Sequence, residues 1–133
     1  MNIDKLFDTL VGSYHDSALV DAIYRGNTLY MYCFRNPPIF DNQDDIHPRY
    51  IIIRFDKVEN LEVYDYDEKC YFPYEVGDFT KEDDYGAICG INKLDLDEDD
   101  YVMFEECLRF RCDDVEVLAS SDNELEFNKY VRI

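Results

Sequence analysis

The sequence predicts an α+β fold: a mainly antiparallel β-sheet of about seven strands with one short N-terminal helix. It forms a single acidic, β-rich domain over residues 1–133. Three observations predict this class. The spacing of apolar residues changes from helical to alternating after Gly12. A Gly-Asn pair separates two runs rich in β-branched and aromatic residues. Short apolar runs then recur to the C-terminus with turn-forming residues between them.

The elements follow in order. "IDKLFDTLVG" places Ile3, Leu6, Phe7 and Leu10 at spacings of three and four, an amphipathic helix stopped by Gly12. "ALVDAIY" and "TLYMYCF" flank "RGN", where Gly26-Asn27 supplies a tight turn, so the pair reads as a β-hairpin. "TLYMYCF" is apolar on both sides, with Leu29, Met31 and Cys33 on one and Tyr30, Tyr32 and Phe34 on the other. Such a strand is central, with cover on each face. Pro37, Pro38 and Pro48 make "RNPPIFDNQDDIHP" a surface loop.

"RYIIIRFDKVENLEVYDY" reads as one long strand or two, broken near Asp56-Lys57. Residues 65–85 are aromatic, acidic and irregular. "YGAICGINKLDL" and "YVMFEECLRFRC" read as two more strands. In the latter, Leu108, Phe110 and Cys112 alternate with Arg109 and Arg111, the pattern of a strand with one wet face. "VEVLAS" and "ELEFNKYVRI" flank a turn at "SDN" and complete the set.

Hydrophobic residues make up 47% of the chain, which is ordinary for a folded domain. The charge is not ordinary. Thirty-one Asp and Glu against 13 Lys and Arg leave a net charge of −18, beyond the magnitude of about 2–8 that solubility needs. Residues 59–100 alone hold 15 acidic and 3 basic side chains, a net of −12. A surface of this sign repels nucleic acid and anionic lipid and attracts cations or basic proteins. Concentration in one region favours a binding face over general solubility.

The five cysteines, Cys33, Cys70, Cys89, Cys107 and Cys112, are odd in number and lack C-x-x-C spacing. "MNIDKLFDTLVG" carries Asp4 and Asp8 and no apolar run, so no secretory leader is expected. These features predict reduced thiols in a cytoplasmic protein. No stretch has the length of a membrane-spanning helix.

Three constellations bear on chemistry. His15-Asp16-Ser17 has the residue types of a hydrolytic triad, but triads are assembled from separated segments. Ser17 also lacks the glycine-flanked turn of a nucleophile, so the tripeptide reads as the link from helix to hairpin. "DLDEDDYVMFEE" places Asp95, Asp97, Asp99 and Glu106 at positions 1, 3, 5 and 12 of a calcium loop. Position 6, which needs Gly, is Asp100, and the flanks read as strands. An acidic turn carrying Asp95, Asp97, Glu98, Asp99 and Asp100 is the preferred reading, one whose repulsion a basic partner relieves.

The third constellation is Tyr64, Asp65, Tyr66, Asp67 and Glu68, with Glu82, Asp83 and Asp84 beyond it. Tyr71, Tyr74 and Tyr85 interleave these acids. Carboxylates steer and pair with cations while tyrosines supply desolvated anchors, a composition for docking on an Arg/Lys-rich surface. The bland alternative is a solvated loop. No cluster of arginine, lysine or histidine is grouped with the carboxylates to hold an anionic substrate, so no enzyme activity and no cofactor is expected.

The succession "YHDSALVDAIYRGNTLYMYCF", "NPPIF", "YIIIRFDKVENLEVY" and "LRFRCDDVEVLAS" resembles a diverse group of small bacterial proteins that open on a His-Asp-Ser signature. Many of these are immunity proteins of toxin systems, and the Pro-Pro with the following strand is similar to the immunity protein 50 group. The chain has no Trp, and Phe40 stands after Pro-Pro where a Trp is expected in that group. The resemblance implies a non-enzymatic protein that neutralises a cognate toxin, often a nuclease. The expectation is an acidic binding protein that inhibits a basic partner without binding nucleic acid or membrane. The alternative is a phage-encoded DNA mimic that blocks a nucleic-acid-binding defence protein.

Overall fold

The computed structural model describes residues 17–35, 49–65, 67–74, 79–80, 91–96, 99–104 and 108–131. Among the described residues there are ten strands: β1 (Ser17–Arg25), β2 (Thr28–Arg35), β3 (Tyr50–Asp56), β4 (Glu59–Asp65), β5 (Cys70–Pro73), β6 (Phe79–Thr80), β7 (Ile91–Leu96), β8 (Asp99–Phe104), β9 (Leu108–Arg111) and β10 (Asp114–Ser121). They form two five-stranded sheets, ordered β10-β3-β2-β1-β6 and β5-β4-β9-β8-β7. Every pairing in them is antiparallel.

The expected α+β class is therefore corrected. Among the described residues there is no α-helix, only a short 3-10 turn at Phe127–Lys129, and the fold is nearly all β. The physical reason is that each sheet supplies the apolar cover for the other, so no helix is required for that purpose. The expected helix over residues 3–10 lies outside the described residues. The strand number rises because "YVMFEECLRFRC" divides into β8 and β9, and because β5 and β6 form where irregular chain is expected.

β1 and β2 form the expected hairpin, with Arg25 opposite Thr28 across a two-residue turn. Gly26 alone of the two turn residues takes positive φ, at 64°, the pattern of a type II′ turn. A bulge between Leu19 and Asp21 re-aims β1, and the Ala22 N–H donates to Asp21 Oδ1 at 2.8 Å.

The chain passes between the sheets at Lys57, where φ is 53°. The Val58 N–H then donates to the Asn27 carbonyl at 2.7 Å, tying the crossover to the first hairpin. The break at Asp56-Lys57 is thus a change of sheet as well as of strand.

The main core lies between the sheets. Leu29, Met31, Ile53, Phe55, Val102, Leu108, Phe110 and Val115 are fully buried there. Phe55 and Phe110 meet edge to face across it, with centroids 4.9 Å apart. β2 is covered on its other side as well. Tyr30, Tyr32 and Ile52 lie under residues 125–131, which fold back over the first sheet. Phe127 stacks on Tyr32 with centroids 5.7 Å apart, and the Leu125 N–H donates to the Tyr32 hydroxyl at 2.7 Å. "ELEFNKYVRI" is thus no strand: its apolar residues are used to close a second core rather than to extend a sheet edge.

Candidate partner-binding sheet

The second sheet carries much of the charge-rich chain, and its outer face is organised by β4 and β9. β9 alternates as its sequence dictates, with Leu108 and Phe110 inward and Arg109 and Arg111 outward. The register sets Arg109 opposite Glu62 and Arg111 opposite Glu59, with a bulge between the two acids where Asn60 takes φ 55°. Arg109 grips Glu62 with two bonds, Nε to Oε1 at 3.1 Å and Nη2 to Oε2 at 3.2 Å. Arg111 Nη2 reaches Glu59 Oε2 at 3.0 Å.

The Arg109 guanidinium also lies 4.3 Å from the centre of the Tyr71 ring. Tyr71 meets Tyr64 edge to face at 5.2 Å. Tyr71, Tyr64, Glu62 and Arg109 therefore form one locked cluster across three strands. The Arg109 and Glu62 side chains are only 22% and 19% exposed, so water weakens this pair less than a surface pair.

Of the predicted docking residues, Tyr64 belongs to this cluster. Asp65 shapes the turn after β4: its Oδ1 accepts from the backbone N–H groups of Asp67 at 2.8 Å and Glu68 at 3.1 Å. The Lys69 N–H closes the turn onto the Asp65 carbonyl at 2.8 Å, with Lys69 at φ 55°. Asp67 and Glu68 are held exposed at its tip. Asp95 lies in β7 and Asp99 and Asp100 in β8, with Asp95 opposite Asp100 and Leu96 opposite Asp99. Tyr66, Glu82, Asp83, Asp84, Asp97 and Glu98 lie outside the described residues.

The sheet does not bring the two described acidic sets together. The Asp65 turn and the Asp95–Asp100 pair lie at opposite ends of the strands, with β9 between β4 and β8. Following the register, they stand about 20 Å apart along the strand direction. The pairing of β7 with β8 also replaces the wrapped path that a calcium loop over residues 95–106 requires. Among the described residues no group of three or more His, Cys, Asp or Glu is gathered as metal ligands.

Among the described residues, five cations pair with nearby acids. Arg54 lies against Asp56 and Glu116, Lys57 against Asp113, Arg109 against Glu62, Arg111 against Glu59 and Lys129 against Glu126. Sequence reasoning placed Arg109 and Arg111 on a wet face but missed Glu59 and Glu62 as their partners. Their spacings were visible; the register that joins them was not.

Ser17 begins β1 opposite Arg35, while His15 and Asp16 lie outside the described residues. Cys33 is buried, Cys70 is exposed, and Cys112 is half-buried, all as free thiols. Burial, aided by Asp113, Asp114 and Asp56, pushes the Cys112 thiol up to about 12. It therefore stays protonated and unreactive at neutral pH. Among the described residues no helix is long and apolar enough to cross a membrane. In comparisons with protein-family models, with curated proteins and with solved structures, none matches this chain.

Proposed function

We propose that this chain is a non-enzymatic, cytoplasmic binding protein that inhibits a basic partner, a toxin nuclease, by occluding its active face. The observation that carries this reading is the concentration of 15 acidic against 3 basic side chains within residues 59–100. The resemblance to toxin-immunity proteins supports the same reading. The pairing of Arg109 and Arg111, which lie beyond that stretch, with Glu62 and Glu59 offsets only two of those carboxylates and leaves most of the excess in place. The acids steer a cationic protein into encounter and the tyrosines anchor it. Neither a cofactor nor nucleic acid takes part.

The test is co-expression with any nuclease that a neighbouring gene encodes. Growth is expected to be restored, and the purified nuclease to bind and lose activity. Charge reversal of Asp97, Asp99 and Asp100 is expected to slow association at low salt by about tenfold or more, with folding unaltered. Normal association of the reversed variant at low salt removes the β7–β8 acids from the docking site. Failure of the wild-type protein to bind or inhibit overturns the reading. Binding instead to a non-nuclease DNA-binding protein favours the DNA-mimic alternative.

A further inference from the structure

The inner face of the second sheet contains an apolar row that runs out past its cover. Leu108 on β9, Val63 on β4 and Phe72 on β5 are register partners in sequence across three adjacent strands. Residues directly opposite in a sheet share a face. Leu108 is fully buried and Val63 is half-buried, whereas Phe72 is 46% exposed, the one exposed large hydrophobic among the described residues. β5 is the edge strand, so the row ends in solvent. Cys70, two residues before Phe72 on the same strand, is exposed as well.

The turn that launches β5 is the one Asp65 builds, with Asp67 and Glu68 exposed on it. The turn is held by its own hydrogen bonds, so the backbone that carries these two carboxylates needs little ordering when it meets a partner. The other acids of β4, Glu59 and Glu62, are already engaged by Arg111 and Arg109. An exposed aromatic on the edge strand that an exposed acidic turn launches fits one kind of occupant.

The geometry points to the β4–β5 edge as the docking site for a segment of a basic protein. That segment presents an apolar side chain flanked by lysine or arginine. The apolar residue extends the Leu108–Val63–Phe72 row, and the cations meet Asp67 and Glu68. This assignment rests on the binding function proposed above and narrows it to one edge, separate from the β7–β8 acids.

The probes are the peptides (Lys-Leu)4, octalysine and (Glu-Leu)4, added to the isotope-labelled full chain in about 0.15 M salt, where long-range attraction is screened. Amide shifts with (Lys-Leu)4 are expected to centre on residues 67–72. Octalysine is expected to bind at least tenfold more weakly, and (Glu-Leu)4 not to bind. Phe72→Ser is expected to weaken (Lys-Leu)4 at least tenfold. Because Phe72 is half-exposed, an unchanged thermal transition checks that this variant is folded. Asp67→Lys with Glu68→Lys provides a second variant that leaves the core untouched. Equal binding by both variants, or shifts centred elsewhere, overturns the assignment. The nuclease arm separates it from the function itself: wild-type inhibition with no loss in either variant removes this edge and keeps the function. Absence of nuclease binding removes the function, while the peptide result still decides the edge.

Discussion

Tyr32 and Arg109 occupy equivalent places, each on the central strand of a five-stranded sheet and on its outward side. The two sheets treat these positions differently. Tyr32 is 4% exposed, stacked on Phe127 and bonded to the Leu125 backbone. Arg109 is held at the surface by Glu62 and Tyr71. One sheet has its chain terminus folded over it as a second hydrophobic core. The other uses an ion-pair ladder in place of apolar cover. The first arrangement yields stability, because burial scales with apolar area. The second yields a surface whose shape is fixed by charges paired with one another.

The largest loss is expected where the two sheets meet. Phe110→Ala removes a fully buried ring between them and is expected to cost about 3–5 kcal/mol in chemical denaturation, enough to unfold a marginal domain. Phe127→Ala tests the covered face alone. Its ring is 6% exposed but caps only one side of the sheet, so about 3 kcal/mol is expected. A second readout is spectroscopic. Burial raises the Tyr32 hydroxyl above its ordinary 10.0, against the lowering effect of the Leu125 bond, so alkaline titration should show it falling when Phe127 is lost. No change in the tyrosine titration would mean that residues 125–131 do not bury Tyr32.

The charged face is expected to respond less. Arg109→Ala should cost about 1–3 kcal/mol, since it leaves Glu62 half-buried without its two charge-assisted bonds. Arg111→Ala, whose partner Glu59 is 65% exposed, should cost below about 1 kcal/mol. Equal losses at the two arginines would refute a locked cluster at Tyr71.

The smallest effect concerns Cys112. Alkylation followed by mass spectrometry at pH 8 should label exposed Cys70 and leave Cys112 intact. In the unfolded chain the Cys112 thiol ionises near its ordinary 9.0, and in the folded chain near 12. Between those values the unfolded state holds fewer protons, so stability falls as pH rises through that window. Cys112→Ser should flatten that alkaline decline.

The first hairpin and the two-sided burial of β2 were legible because both are local patterns: a Gly-containing turn, and apolar residues on both sides of one strand. The wet and dry sides of β9 were legible for the same reason. The β8–β9 division was not. Residues 99–111 contain no proline or glycine to mark the boundary, and alternation continues on either side of it. The C-terminal stretch misled because Leu125 and Phe127 alternate like a strand while packing as a cover.

By itself the sequence determined the charge, its concentration in residues 59–100, and the alternation that makes strands. The tertiary structure alone decided how those charges are arranged. It matched Arg109 to Glu62 and Arg111 to Glu59, set the Asp65 turn about 20 Å from the β7–β8 acids along the strand direction, and left Phe72 exposed on the edge strand that this turn launches. The reason is that strand pairing joins residues distant along the chain, as Glu62 and Arg109 are. Register and sheet order, rather than proximity in sequence, determine which carboxylates meet a cation and which face outward.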